Sequence, residues 1–125
     1  VHVGERAVVF ANAVVARGLF RQDTVVGPDA RIGTGAFVSH NTVIGAAASV
    51  GHGAVVNGNV RVGARAWIGP GATISNNLAI GDDSRVALGS TVYSDLPAGA
   101  HVSGLAAVDH ESALRATAAL RRRRR

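Results

Sequence analysis

The chain has 125 residues, which bounds it at one domain, and no cysteine, which excludes a disulfide framework and a thiolate metal site. All 13 of its basic residues are arginine, and five of them are Arg121 to Arg125; residues 1–120 then carry 8 arginines against 8 acidic residues, a neutral body that does not indicate nucleic-acid binding. No run of about 18 apolar residues and no signal-peptide pattern is present, so no transmembrane segment is expected, and a soluble cytoplasmic protein is.

The chain opens in mid-pattern. Val3-Gly4, Val9 and Val15, with Ala7 and Ala13 between them, read as repeats already under way, and a further N-terminal portion is expected upstream of Val1. The phase then slips. Val15 to Val26 is 11 residues where two repeats would need 12, and the irregular Arg17-Gly18-Leu19-Phe20-Arg21-Gln22-Asp23-Thr24 reads as a bulged, solvated corner.

From Val26 the pattern is strict. An aliphatic residue recurs every six positions: Val26, Ile32, Val38, Ile44, Val50, Val56, Val62, Ile68, Ile74, Ile80, Val86 and Val92. Six matches neither a helix nor a hairpin strand. It is the period of a parallel β-helix, where short strands wind around a prism and successive turns stack. Four residues after each aliphatic one a small residue is usual, as at Ala30, Ala36, Thr42 and Ala48. The residue just after the aliphatic one is Gly at 27, 33, 45, 51, 63, 69 and 81, which suggests tight corners with positive φ. Ser39, Asn57, Ser75 and Tyr93 break that rule at intervals of 18, with Ala87 the only other exception, so a turn has three faces and one face differs from the others. At one strand spacing per turn, about five turns make a column on the order of 25 Å tall. Flat outer faces on so thin a prism favour self-association in a cyclic oligomer.

Leu96-Pro97-Ala98-Gly99 punctuates the repeat. The expected division is a β-helix over 1–98 and an extension over 99–125. That extension holds one more extended piece (His101 to Gly104), a helix over 110–120 capped by Asp109, and the arginine tail at its cation-favouring end. The fold class is thus all-β, a parallel β-helix with a short C-terminal α-helix.

A solid prism has no internal cavity, so chemistry belongs on an edge or between chains. Steps of 18 along the face that lacks Gly give His40, Gly58, Asn76 and Ser94, then Asn41, Asn59, Asn77 and Asp95. An imidazole can serve as general base toward an amine or hydroxyl attacking an activated carbonyl. A glycine lets its backbone N–H approach a developing oxyanion, the role considered for Gly58. Asn77 could hydrogen-bond an acyl or sugar group. His52 falls on another face, and a zinc site shared by His40 and His52 across an interface is a minor alternative.

Arg17-Gly18, Asp23-Thr24-Val25-Val26-Gly27 and Val38-Ser39-His40-Asn41-Thr42-Val43-Ile44-Gly45 resemble the UDP-3-O-acylglucosamine N-acyltransferases of lipid A (lipopolysaccharide) biosynthesis. So do the closing Val102-Ser103-Gly104-Leu105-Ala106-Ala107, Leu114-Arg115 and Ala118-Ala119-Leu120, and the resemblance spans roughly residues 15–122. It implies a left-handed β-helix, a homotrimer with sites between chains, and acyl transfer from acyl carrier protein to a nucleotide-sugar amine. It implies His40 as general base and Gly58 as oxyanion donor. Asn77 stands where that family carries a second, substrate-contacting His. The family's N-terminal uridine-binding domain is not in this sequence.

The expected activity is therefore acyl transfer from a pantetheine thioester, on acyl carrier protein (4'-phosphopantetheine) or CoA, with no tightly bound cofactor and no metal. Asn41, Asn76 and Asn77 are the candidate substrate-binding residues. Trp67, Gly89 and Tyr93 are candidates for a thioester groove, and the arginine tail for contact with an acidic carrier. A sugar O- or N-acetyltransferase using acetyl-CoA is the alternative. A non-catalytic trimeric β-helix module is the alternative of another class.

Overall fold

The regular repeats fold into a two-residue strand and a four-residue corner in the computed structural model, which describes residues 1–124. The last residue of the arginine run, Arg125, lies outside the described residues. Strands succeed one another in triplets: β1 (His2–Val3), β2 (Val8–Val9), β3 (Val14–Val15); β4 (Val25–Val26), β5 (Arg31–Ile32), β6 (Phe37–Val38); β7 (Val43–Ile44), β8 (Ser49–Val50), β9 (Val55–Val56); β10 (Arg61–Val62), β11 (Trp67–Ile68), β12 (Thr73–Ile74); β13 (Ala79–Ile80), β14 (Arg85–Val86), β15 (Thr91–Val92). Each triplet is one turn of a left-handed parallel β-helix. The first sheet stacks β1, β4, β7, β10 and β13; the second stacks β2, β5, β8, β11 and β14; the third stacks β3, β6, β9, β12 and β15.

The second residue of each strand points inward. From Val26 to Val92 all twelve repeat aliphatics are at most 2% exposed, and all are β-branched, the shape that suits a pleated inner face. In the first turn Val3 and Val9 are 49% and 42% exposed, because only one neighbouring turn covers them. The small residues four places on, from Ala30 to Ser90, fill the corners from inside; Leu78 there is only partly buried and packs against the core.

Two expectations about the corners are corrected. The glycines after the aliphatic residues do not adopt positive φ. They are small because the next turn passes too close: a Cβ on Gly45 would lie 2.6 Å from the backbone nitrogen of Ala64. The left-handed residue is instead the third after the aliphatic one, at Asp29, Gly35, Asn41, Ala47, Gly53, Asn59, Arg65, Gly71, Asn77, Asp83 and Gly89. The phase slip is the expected bulged corner, but it enlarges one ordinary corner rather than shortening two repeats. His2 pairs with Val25 and Val14 with Phe37, 23 residues apart, whereas later turns pair at 18, as Val43 with Arg61. Residues 16–24 are thus one corner carrying five extra residues (23 − 18), not two repeats short by one.

Beyond β15 the chain continues the second sheet: β16 (His101–Ser103) runs parallel to β14, and β17 (Val108–Asp109) closes that sheet antiparallel. Helix α1 (His110–Arg123) follows, with Asp109 Oδ2 accepting from the Ser112 backbone N–H at 3.0 Å and its hydroxyl at 2.9 Å. These bonds, the backbone N–H first, hold the Asp109 carboxyl below its ordinary range. The helix buries none of its residues; Ser103 Oγ to His110 Nδ1 (2.6 Å) and the stacked His101 and His110 rings (4.0 Å) fix its start. No described helix is long and apolar enough to cross a membrane.

Candidate active site

The corners that leave the third sheet carry the polar residues singled out above. Register Phe37–Val55–Thr73–Thr91 stacks these corners directly, so His40, Gly58 and Asn76 form one column and Asn41, Asn59 and Asn77 the next. The count in eighteens fails at Ser94 and Asp95: Leu96 pairs with Ile80, 16 residues away, so the last corner is two residues shorter and Asp95 lies beside Ala79, its Oδ1 accepting the Ala79 N–H at 2.8 Å. The His40 ring lies over Gly58. A Cβ added at 58 would sit 2.5 Å from His40 Nε2 and 2.6 Å from its Cε1, so the ring fills the space that any larger side chain there would need. His40 Nδ1 is buried and, among the described residues, has no hydrogen-bond partner.

Asparagine recurs in the second column for a conformational reason. Asn41, Asn59 and Asn77 have φ of 57°, 58° and 61°, a region that asparagine tolerates better than most side chains. Their side chains then do different work. Asn41 Oδ1 accepts the Leu19 N–H at 2.7 Å, and the Asn41 N–H donates to buried Thr24 Oγ1 at 2.9 Å, so Asn41 fastens the inserted corner beside His40. Asn59 Nδ2 donates to Asn77 Oδ1 at 2.9 Å. Asn76 Oδ1 accepts the Gly58 N–H at 3.1 Å, which occupies the very donor considered for an oxyanion.

Trp67, Gly89 and Tyr93 are not brought together within one chain. Trp67 faces outward from the second sheet under the Arg85 guanidinium, 5.9 Å away. Gly89 sits at the corner between second and third sheets with φ +65°, and Tyr93 begins the last corner on the His40 edge, exposed. His52 is on the corner between second and third sheets, its Nδ1 accepting the Thr34 N–H at 2.9 Å, so it does not converge on His40 within the chain. Among the described residues no three His, Asp or Glu side chains cluster as a metal site. The shifted carboxylates Asp29 and Asp83, held below their ordinary range chiefly by hydrogen bonds from Arg6 and Arg65, lie on the corner between first and second sheets, away from this edge.

The inserted corner itself was not anticipated as part of the site. Its tip places Phe20 and Arg21 in left-handed conformation (φ 55° and 62°), with Phe20 92% exposed directly beside the His40 edge. The phase slip and the aromatic within Gly-Leu-Phe-Arg were the only signals of it.

The chain is thus a hexapeptide-repeat prism with a histidine over a glycine on one edge. No protein-family model and no curated protein matches the chain. Solved structures do. PerB from Caulobacter crescentus, in complex with CoA and GDP-perosamine, is 32% identical over 83% of this chain and 54% of its own, with a TM-score of 0.69. LpxA from Acinetobacter baumannii shares the fold at 19% identity over 92% of this chain and 46% of its own (TM-score 0.82). So does a mutant of AntD, an N-acyltransferase from Bacillus cereus, at 14% identity over 86% and 81% (TM-score 0.70). The chain spans about half the length of PerB.

Proposed function

We propose that the chain is the catalytic β-helix of an acyltransferase that moves an acyl group from a pantetheine thioester to the amine of a nucleotide-linked sugar. The observation that carries this reading is the His40 ring over Gly58 with one buried ring nitrogen unpaired. An unsatisfied buried polar atom costs stability, and such atoms concentrate where a ligand or a reaction uses them. The similarity to PerB, bound to CoA and GDP-perosamine, supports CoA as donor and an amino sugar as acceptor.

In this mechanism the acceptor nitrogen attacks the thioester carbonyl while His40 takes the proton it loses. Negative charge develops on the carbonyl oxygen, and the Gly58 N–H stabilises it in this reading once it is released from Asn76 Oδ1. The C–S bond then breaks, the amide remains, and the proton passes from His40 to the departing thiolate. Two chains stacked edge to face would enclose the pantetheine arm, and a homotrimer supplies three such grooves.

The test is thiol release from acetyl-CoA in the presence of GDP-perosamine and related amino sugars, repeated with acyl-loaded carrier protein and UDP-linked glucosamine acceptors. Amine-dependent release that falls by about 10²-fold or more in His40→Ala is expected. Release only from carrier protein would favour the lipid A type of reaction over the acetyl-CoA type. No release from either donor, or an unaffected His40→Ala variant, would overturn the proposal.

A further inference from the structure

The donor assigned to the oxyanion is already engaged. Gly58 N–H points at Asn76 Oδ1 at 3.1 Å, and this bond has two counterparts elsewhere in the molecule. Thr34 N–H donates to His52 Nδ1 at 2.9 Å, and Ala64 N–H to Asp82 Oδ1 at 2.8 Å. In all three the donor is the second residue after a core aliphatic, and the acceptor is the residue 18 positions later. A side-chain acceptor at that place therefore caps the corner N–H of the turn before it. On the His40 edge one such cap forms: Gly58 has no side chain to offer His40, Asn76 closes Gly58, and Ser94 falls out of register because Leu96 pairs with Ile80.

We infer that Asn76 is a positioning residue, a self-cap on the Gly58 N–H that the donor's carbonyl oxygen must displace, rather than a ligand of the substrate. The inference rests on the acyl-transfer reading of this site. A thioester carbonyl is a weak acceptor and an amide oxygen a good one, so the cap competes with the ground-state donor. The displacement is made as the donor binds, so its cost falls on the bound donor and on the transition state alike. Asn76 is exposed and sits at the edge, free to swing outward without opening the core.

Asn76→Ala removes the competitor. With a cap worth one ordinary hydrogen bond, KM for acetyl-CoA should fall by about fivefold while kcat holds. Asn76→Asp strengthens the cap and sets a negative charge against the oxyanion, so kcat should fall and KM rise. The Gly58 amide, followed by NMR in the free protein, should move and exchange faster in Asn76→Ala and stay bonded in Asn76→Asp. A raised KM for donor or sugar in Asn76→Ala would make Asn76 a substrate ligand and overturn the inference. Unchanged kinetics with only a lower Tm would make it a plain staple and overturn the inference equally. Should Asn76→Ala fail to fold, the Asn76→Asp kinetics decide alone. Wild-type inactivity, or an active His40→Ala, would instead remove the underlying function, and the Gly58 amide would still report whether the cap exists.

Discussion

Among single residues, Gly58 is small for its neighbour's sake. The nearest atoms to an added Cβ all belong to the His40 ring, and its φ is not in the left-handed region, so the backbone accepts alanine while the imidazole must turn away. Gly58→Ala should therefore leave the far-UV spectrum and Tm nearly unchanged and lower acyl transfer by about 10²-fold, the lower end of what a general base supplies. Ala47 is the opposite case. It holds φ +57° at the corner where the stacked turns carry Asp29, Arg65 and Asp83, and a Cβ in that conformation costs about 1–2 kcal/mol. Ala47→Gly relieves that cost but frees the unfolded chain by about 0.4–1 kcal/mol. The balance favours the variant by about 0–1.6 kcal/mol, and a thermal melt should show a rise of a few degrees.

For the strands, corners and helix, much was legible and the remainder has physical reasons. The six-residue period announces strand, inward face and turn height, because each strand must drop one β-branched side chain into a shared core. The stacking of His40 on Gly58 followed from counting in eighteens. Which glycines bend the chain did not follow, because steric closeness between turns and positive φ both select glycine and the sequence does not separate them. Nor did the acceptors of the corner N–H groups, which depend on side-chain rotamers rather than spacing. Helix α1 was readable from Asp109 onward, and it carries a pH prediction. Asp109 is held below its ordinary range by Ser112, so its capping is intact at neutral pH and is lost as pH falls beneath the usual carboxylate value and through the lowered one. Amide protection over residues 110–120 should fade in that window before the solenoid changes. Asp109→Asn should flatten the dependence, and persistence of the same acid transition in that variant would assign it elsewhere.

Taken as a column, the protein has three unequal outer faces. The second sheet turns Arg31, Ser49, Trp67 and Arg85 outward, whereas the third presents Val14, Phe37, Val55, Thr73 and Thr91, with no charge among them. The third sheet also borders the His40 edge, which makes it the face to pack on a neighbouring copy in the proposed trimer. Light scattering should give three times the chain mass for the native protein. Val55→Glu, which sets a carboxylate in the middle of that face, should give the single-chain mass and lose acyl transfer together; a trimer that survives it would place the interface on another face. The inserted corner matters in another way. Its five extra residues are absorbed where they enter, for pairing on both sides of it keeps every inward side chain in step. Length at that corner is therefore uncoupled from the strand register, and what ties the corner to the His40 edge is the pair of bonds that Asn41 makes to Leu19 and Thr24. On the proposed acyl-transfer reading, exchanging residues 20–23 while keeping Leu19 on Asn41 would refit one scaffold to acceptors of different bulk.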